Sequence, residues 1–357
     1  MWELWDIPYT QDDASNPQLH YDLYIPRDRT WQPGGPDRRG SSGNSTIVEC
    51  PIIVFVHGGG WRTGDKSDHR PMARRVAHAT SLPVCCPNYR LSPAVKHPTH
   101  TNDIHAALDH LVSREHHIFE SSHHASVADG VANESETVSV KFTSLYLIGH
   151  SAGAHILGSL FLSPPPSASN PPPPSSSPCY ACLAPSLPRR RPPSPPLTRL
   201  VNGIICLAGI YSLDLLLRSF PLDFYRSMLT EAFGEGDSYV DVDLTTYVRL
   251  PPLKSTLETK DFECDGKKKD EVVERDKIRW AVVHSKGDTL VDMLQPEAFY
   301  RHLAELYPTE GGGSVTKGNG DGSMLLDVTT LTGEHDPLLE TEEWAGLVKD
   351  FILNDGH

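Results

Sequence analysis

The sequence predicts an α/β fold in which a mostly parallel sheet is covered by helices on both faces. Short, almost entirely apolar runs alternate along the chain with segments of helical periodicity, and such runs are typical of strands buried on both faces. This alternation favours parallel strands joined by crossover helices. The predicted strands are residues 21–25, 52–56, 82–86, 144–148, 201–207, 279–284 and 324–331.

Two segments have the spacing of one-faced helices. Apolar residues recur there at intervals of three and four, which places them on the side of a helix that faces a core. Thr101, Asn102 or Asp103 can cap the first helix, because their side chains accept hydrogen bonds from free backbone amides. The apolar positions are Ile104, Ala107, Leu108 and Leu111 in the first segment and Trp344, Leu347, Val348, Phe351 and Ile352 in the second.

The 357 residues are predicted to form one domain, 1–357, that carries polar insertions. These stretches are poor in apolar residues and rich in Pro, Gly, Ser or charge, so they favour surface loops or disorder. The proline-rich stretch 163–198 could instead act as a lid, and its arginines 189–191 would also fit a docking segment. The predicted insertions are residues 30–46, 121–138, 163–198, 257–275 and 309–322.

The charge balance excludes some partners. Lys and Arg total 32 and Asp and Glu total 46, so the formal net charge is −14, which repels nucleic acid and anionic membranes. No apolar run reaches the roughly 18 residues of a membrane-spanning helix, and the start of the chain lacks the pattern of a secretion signal. We therefore expect a soluble, cytoplasmic protein.

The cysteines and histidines give little sign of a disulfide framework or a metal site. The seven cysteines are an odd number, several lie in apolar runs, and the pair Cys179 and Cys182 stands in a proline-rich stretch without a second pair. Histidines 116, 117, 123 and 124 are predicted at a helix end that runs into a loop, without a matching set of ligands. We expect no metal and no cofactor.

The segment GHSAG at 149–153 is the strongest chemical signal. It follows the predicted strand 144–148 and leads into an apolar helix face, which is the strand, turn and helix context that a GxSxG nucleophile requires. Gly149 and Gly153 permit the sharp turn because they lack side chains that would collide with neighbouring backbone. Ser151 is therefore the predicted nucleophile.

The segment HGGGW at 57–61 is predicted to stabilise negative charge. Three consecutive glycines after the strand 52–56 leave backbone amides uncovered, and such amides can hold an oxyanion near Ser151. Trp61 is either a wall of a small acyl pocket or a packing residue of the core. The predicted oxyanion donors are the amides of Gly58, Gly59, Gly60 and Ala152.

A serine nucleophile needs a histidine base, and the histidine needs a carboxylate to orient it. Asp288 and His335 each come just after a predicted strand, at the edge where sites form in open α/β sheets. Asp292 is a rival for the acid, whereas His284 is predicted to lie inside a strand. The chain order Ser151, Asp288, His335 therefore predicts a catalytic triad.

These motifs resemble a known superfamily. HGGGW at 57–61, NYRLSP at 88–93 and GHSAG at 149–153 resemble the α/β-hydrolases, in the branch of hormone-sensitive-lipase-like esterases and kynurenine formamidases. The HGGxW form and the segments 97–111, 208–217 and 231–234 are similar to fungal kynurenine formamidases. The resemblance implies an α/β-hydrolase fold with several surface insertions.

The resemblance also implies a reaction: hydrolysis of N-formyl-L-kynurenine to L-kynurenine and formate in tryptophan breakdown toward NAD synthesis, without a cofactor and often as a homodimer. Ser151 would be the nucleophile, Asp288 the acid and His335 the base. Partners for the amino-acid end of this substrate are not evident; Arg62 and Tyr89 are candidates by position. The alternatives are a carboxylesterase for short acyl esters and a hydrolase-shaped binding protein without catalysis.

Overall fold

The computed structural model describes most of the chain outside the predicted insertions. The insertions at 257–275 and 309–322 lie outside the described residues, and so do most residues of the other three predicted insertions. Residues 45–46 and 137–138, at the ends of two predicted insertions, belong to strands. The described residues are 1–11, 13–27, 45–119, 137–165, 190–250, 278–308 and 324–353.

Strands and helices alternate through these residues. The strands are β1 (Trp2–Pro8), β2 (His20–Ile25), β3 (Ser45–Val56), β4 (Val84–Pro87), β5 (Glu115–Phe119), β6 (Thr137–His150), β7 (Leu162–Ser163), β8 (Val201–Leu207), β9 (Val248–Arg249), β10 (Arg279–Val283) and β11 (Met324–Asp327). The α-helices are α1 (Arg70–Thr80), α2 (Thr99–Val112), α3 (Ala152–Phe161), α4 (Pro195–Leu200), α5 (Leu213–Ser219), α6 (Asp223–Phe233), α7 (Leu294–Leu306) and α8 (Glu342–Leu353). Short 3-10 helices lie at Pro17–Leu19, Lys66–His69, Val240–Val242, Leu244–Thr246 and Pro337–Glu340.

The central sheet is mostly parallel, as predicted. Its strand order is β1-β2-β4-β3-β6-β8-β10-β11. The neighbours from β4 to β11 pair in parallel, whereas β1, β2 and β5 pair antiparallel with their neighbours. β7 and β9 form a separate small ladder. The long parallel pair of β3 and β6 runs from Ser45 beside Thr137 to Val56 beside Gly149, so both strands end at the same edge.

Helices cover both faces of this sheet. On one face α1 and α8 pack against alternate residues such as Ile53 and Phe55. On the other face α2, α3 and α7 pack against the intervening residues, such as Ile52 and Val54. Because successive strand residues point to opposite faces, the almost continuous apolar run of β3 fills both cores. The predicted fold class is confirmed.

Several local predictions differ from the structure. β1 was not predicted; its exposed and half-buried residues lie at the edge of the sheet. His116 and His117 were predicted at a helix end but lie in β5, where His116 is buried. The end of the stretch 163–198, predicted as a loop insertion, is partly helical: α4 buries Leu197, and Arg190 donates to the carbonyl of Leu160 at 3.1 Å.

Four cysteines of the described residues, Cys50, Cys85, Cys86 and Cys206, are buried free thiols. Burial raises the pKa of each thiol above its ordinary value. In the described part of the chain, each helix is too short or too polar to cross a lipid bilayer.

Candidate active site

Ser151 lies in a strained turn between β6 and α3. Its φ of 53° and ψ of −117° are sparsely populated for a residue with a side chain. The glycines of the motif make the turn possible, because a Cβ on Gly149 would lie 2.6 Å from Cα of Ala154 and one on Gly153 only 2.1 Å from the carbonyl oxygen of Val56. The Ser151 amide donates to the Leu207 carbonyl at 2.9 Å, so the turn is tied to β8.

Asp288 and His335 form a close pair. Nδ1 of His335 lies 2.6 Å from Oδ2 of Asp288, whose side chain is fully buried. The other oxygen of Asp288 accepts hydrogen bonds from the amides of Leu290 and Val291 at 2.9 and 3.0 Å. Burial alone would raise the pKa of Asp288, but His335 and the two amides outweigh it and lower that pKa below its ordinary value. The carboxylate is therefore ionised at neutral pH.

The loops that carry this pair are held against each other. Asp288 follows β10 and His335 follows β11, and these strands pair in parallel from Trp280 beside Met324 to Val283 beside Asp327. A Cβ on Gly287 would lie 2.3 Å from the carbonyl oxygen of Thr332, so the two loops touch. The sheet register therefore brings together two residues that lie 47 positions apart.

The rival residues have other surroundings. His284 was predicted inside a strand, but β10 ends at Val283 and His284 follows it directly. His284 is completely buried and its Nε2 lies 3.0 Å from the carbonyl oxygen of Val291, while the same atom is 3.8 Å from Asp288. Asp292 has a buried oxygen that has no hydrogen-bond partner within the described residues. His335 makes the short contact to Asp288, so the geometry favours the predicted pair over both rivals.

The glycine loop lies directly against Ser151. A Cβ on Gly58 would lie 2.9 Å from Cβ of Ser151, and Gly59 and Gly60 have φ values of 92° and 58°. Ala152 is the first residue of α3, where a backbone amide has no acceptor inside its helix. The amides predicted to hold an oxyanion therefore belong to segments that meet at Ser151.

Tyr89 anchors the glycine loop through its backbone. The fully buried Tyr89 hydroxyl donates to the carbonyl of Gly58 at 2.9 Å and lies 3.1 Å from that of His57. Its ring stacks on the ring of His57 at 4.4 Å. Tyr89 is thus engaged with the loop, and its suggested role at the amino-acid end of a substrate is not supported.

Trp61 belongs to the core. It is completely buried, with its ring 4.9 Å from that of Phe233 and 5.3 Å from that of His155. This packing favours the core interpretation, and a wall of an acyl pocket stays a prediction.

His150 is the residue beside Ser151 whose part the sequence reasoning missed. Its Nε2 donates to the carbonyl oxygen of His335 at 3.0 Å, and the two rings lie 4.7 Å apart. Burial, with the nearby His335, lowers the pKa of His150 well below its ordinary value, so its ring is neutral. His150 therefore holds the backbone of His335, and its place inside the GxSxG motif was the available signal.

One group of side chains within the described residues has metal-binding donor atoms close together. The donor atoms of His150, His335 and Asp336 all lie within 4.8 Å of one another. One nitrogen of each histidine ring already has a hydrogen-bond partner: Nε2 of His150 contacts the carbonyl of His335, and Nδ1 of His335 contacts Asp288. These contacts fit a proton-transfer site in which His335 is oriented by its neighbours.

Comparison with known proteins agrees with this fold. A family model described as alpha/beta hydrolase fold matches residues 53–170. A truncated carbohydrate esterase from gut microbiota superposes with a TM-score of 0.59 at 12% identity, covering 99% of this chain and 96% of that one. The chain has the α/β-hydrolase fold.

Two curated relatives share parts of the sequence. A kynurenine formamidase of Meyerozyma guilliermondii is 25% identical over 215 residues, which span 60% of this chain and 60% of the relative. The carboxylic ester hydrolase LipN of Mycobacterium tuberculosis is 37% identical over 99 residues, 26% of this chain and 24% of the relative. The predicted resemblance to fungal kynurenine formamidases is thereby confirmed.

Proposed function

We propose that the protein is a serine hydrolase that cleaves the formamide of N-formyl-L-kynurenine to L-kynurenine and formate. The carrying observation is the buried Asp288 and His335 pair at 2.6 Å, which follows adjacent parallel strands and complements a nucleophile turn at Ser151. The similarity to a curated kynurenine formamidase supports the choice of substrate.

The first half of the reaction transfers the formyl group to the enzyme. His335 takes the proton of the Ser151 hydroxyl as Oγ bonds to the formyl carbon, and Asp288 stabilises the resulting imidazolium. The amides of Gly58 to Gly60 and of Ala152 hold the oxyanion. His335 then gives its proton to the arylamine nitrogen as the carbon–nitrogen bond breaks, which leaves a formyl ester on Ser151 and releases L-kynurenine.

The second half restores the serine. His335 takes a proton from a water molecule, whose oxygen bonds to the formyl carbon, and the same amides hold the second oxyanion. The bond to Oγ of Ser151 then breaks, the serine regains a proton from His335, and formic acid leaves and loses its proton to solvent as formate. The chain's own residues carry every proton that moves while the substrate is bound in this scheme. The prediction that no cofactor takes part is consistent with it.

A carboxylesterase for short acyl esters is the second candidate. The match to a mycobacterial carboxylic ester hydrolase favours it, and the same nucleophile, base and oxyanion donors would cleave an ester. A binding protein without catalysis is disfavoured, because Ser151, Asp288 and His335 are all present and the last two form a close acid and base pair. A cytoplasmic location and a homodimer stay predictions.

Initial rates of the purified protein on N-formyl-L-kynurenine and on p-nitrophenyl butyrate test the proposal, with Ser151→Ala measured in parallel. We expect a strong preference for the formyl substrate and a loss on the order of 10⁶ in turnover for Ser151→Ala. Cleavage of the ester alone would keep the proposed triad and favour the carboxylesterase proposal over the formamidase. Cleavage of neither, with no labelling of Ser151 by a fluorophosphonate, would favour the binding protein.

A further inference from the structure

Helix α6 borders the candidate active site on two sides. A Cβ on Gly60 would lie 2.5 Å from Sδ of Met228, so α6 packs against the glycine loop. The Tyr225 hydroxyl donates to the carbonyl of Leu290 at 2.8 Å, which ties α6 to the segment that follows Asp288. One helix therefore contacts both the proposed oxyanion loop and the loop of the proposed acid.

An ion pair and an aromatic ring lie together on this helix. Nη1 of Arg62 is 3.3 Å from Oε1 of Glu231, and the Arg62 guanidinium carbon is 5.4 Å from the centre of the Phe224 ring. The Ser227 hydroxyl donates to the same Glu231 oxygen at 3.1 Å. Phe224, Ser227 and Glu231 follow the spacing of one helix face. We call Arg62, Glu231 and Phe224 the α6 patch.

The α6 patch is joined to the reacting centre through the backbone. The amide of Arg62 donates to the carbonyl of Gly59 at 3.1 Å, and Gly59 belongs to the proposed oxyanion loop. The side chains remain open to solvent: 25% of Arg62, 33% of Glu231 and 57% of Phe224 are exposed. A ligand can therefore reach a cation, an anion and an aromatic face next to the proposed active site.

We propose that Arg62 and Glu231 form a subsite for an α-amino acid zwitterion beside the reacting centre. The substrate's carboxylate would bind the Arg62 guanidinium and its ammonium group would bind Glu231, while Phe224 borders the aryl ketone portion. The inference rests on the proposed function, since it identifies what holds the amino-acid end of the formyl substrate. A simple acyl ester has neither charge.

The chemistry of the pair suits this ligand. A guanidinium presents five donors in a planar fork that matches a carboxylate, and one of these donors accounts for the contact to Glu231. Each residue is the other's counterion when no ligand is bound, and a partly exposed pair costs little to rearrange. Because the chain carries a net charge of −14, a carboxylate needs a local cation of this kind.

The test compares two formyl arylamides that share the reacting group. N-formyl-L-kynurenine carries the amino acid, whereas 2′-formamidoacetophenone keeps the aryl ketone and lacks the zwitterion. The variants are Arg62→Gln and Glu231→Gln, with Arg62→Lys as the conservative change. Arg226→Gln is the matched control. Arg226 is an exposed arginine of α6, and its substitution by Gln removes the same charge as Arg62→Gln.

We expect Arg62→Gln to lower the ratio of kcat/KM for N-formyl-L-kynurenine to that for 2′-formamidoacetophenone about 10- to 100-fold, as loss of a charged hydrogen bond would. The change should arise in KM. Glu231→Gln should also lower this kcat/KM ratio, and Arg62→Lys should lower it less than Arg62→Gln does. Arg226→Gln should leave the ratio unchanged. An unchanged ratio in Arg62→Gln, or an equal loss on both substrates, would overturn the subsite.

A second readout uses ester hydrolysis and does not require cleavage of a formyl substrate. L-kynurenine should competitively inhibit p-nitrophenyl butyrate hydrolysis by the wild-type protein, with an inhibition constant about tenfold higher in Arg62→Gln. Inhibition that Arg62→Gln weakens would support the subsite even if no formyl substrate is cleaved. Absence of inhibition in the wild type would overturn the subsite even if formyl arylamides are good substrates.

Discussion

The strand ends around Ser151 and the outer surface of α6 differ in how strictly the structure determines their residues. At the strand ends, a single added Cβ on Gly153 would meet backbone at 2.1 Å, and the Asp288 side chain is fully buried with both oxygens bonded. On α6 and at its start, Phe224 and Leu222 are each 57% exposed. Under the proposed function, the type of reaction depends on these crowded positions, and the choice of substrate depends on exposed positions that can change without unfolding the protein.

The largest expected effect is on kcat when the buried Asp288 is changed. Asp288→Asn should lower kcat on the order of 10⁴-fold, because an amide neither holds the productive His335 tautomer nor stabilises the imidazolium. Asp292→Asn is the matched control and should change kcat less than about tenfold. Steady-state kinetics on the preferred substrate checks both variants. A larger loss in Asp292→Asn than in Asp288→Asn would reverse the assignment of the acid.

The next effect concerns packing at the nucleophile turn. Gly153→Ala should lower the free energy of unfolding by about 3 kcal/mol or more, because its Cβ would collide with the Val56 carbonyl. Gly346→Ala, in α8, meets no atom within 4 Å and should raise that free energy by up to about 1 kcal/mol, as expected from helix propensity. Urea unfolding curves measure both. Equal stability of the two variants would contradict the crowding described at the strand ends.

A smaller effect concerns pH. Burial lowers the pKa of His57 to about 4, so between about pH 6.5 and 4 the unfolded chain binds a proton that the folded chain does not. Stability should therefore fall as pH decreases through this window, by up to about 3 kcal/mol from His57. His57→Gln should show a shallower decrease than the wild type in urea unfolding at pH 7 and pH 4.5. Parallel curves for the two proteins would refute this account.

The smallest effect is expected at the exposed start of α6. Leu222 precedes α6 in an extended conformation and its side chain does not cap the helix. Leu222→Ser should raise the free energy of unfolding by about 0.5 to 1 kcal/mol, because a serine accepts a hydrogen bond from a free helix amide. Leu222→Ala cannot form this bond and should show no such gain. A loss of stability in Leu222→Ser would show that this position is as constrained as the strand ends.

The sequence predicted the parts of the site that depend on local geometry. Ser151 follows from a five-residue pattern between a strand and a helix, and the glycines that permit its turn lie within the same pattern. Asp288 and His335 followed from their places after two strands, but Asp292 could be set aside only by the 2.6 Å contact between Asp288 and His335. That contact depends on packing across the sheet, which short patterns do not report.

Contacts between distant segments were not predictable. Arg62 and Glu231 lie 169 positions apart, and neither belongs to a pattern that would suggest their pairing. The contact of His150 with the carbonyl of His335 likewise joins segments 185 positions apart. In the fold, β1 was missed because an exposed edge strand lacks the continuous apolar run of the central strands. Local patterns therefore indicated the proposed reaction, and tertiary structure was needed for the proposed recognition surface.

The location of His335 after the last strand of the sheet order has a consequence for inactivation. Within the described residues, β11 pairs with β10 alone, whereas the proposed nucleophile follows β6 in the middle of the sheet. Edge elements open locally at a lower free energy than central ones, and fraying of β11 would separate His335 from Asp288 while β3 and β6 stay paired. On heating, enzymatic rate should therefore disappear before the bulk circular dichroism signal does, which makes catalysis an early reporter of damage at that edge.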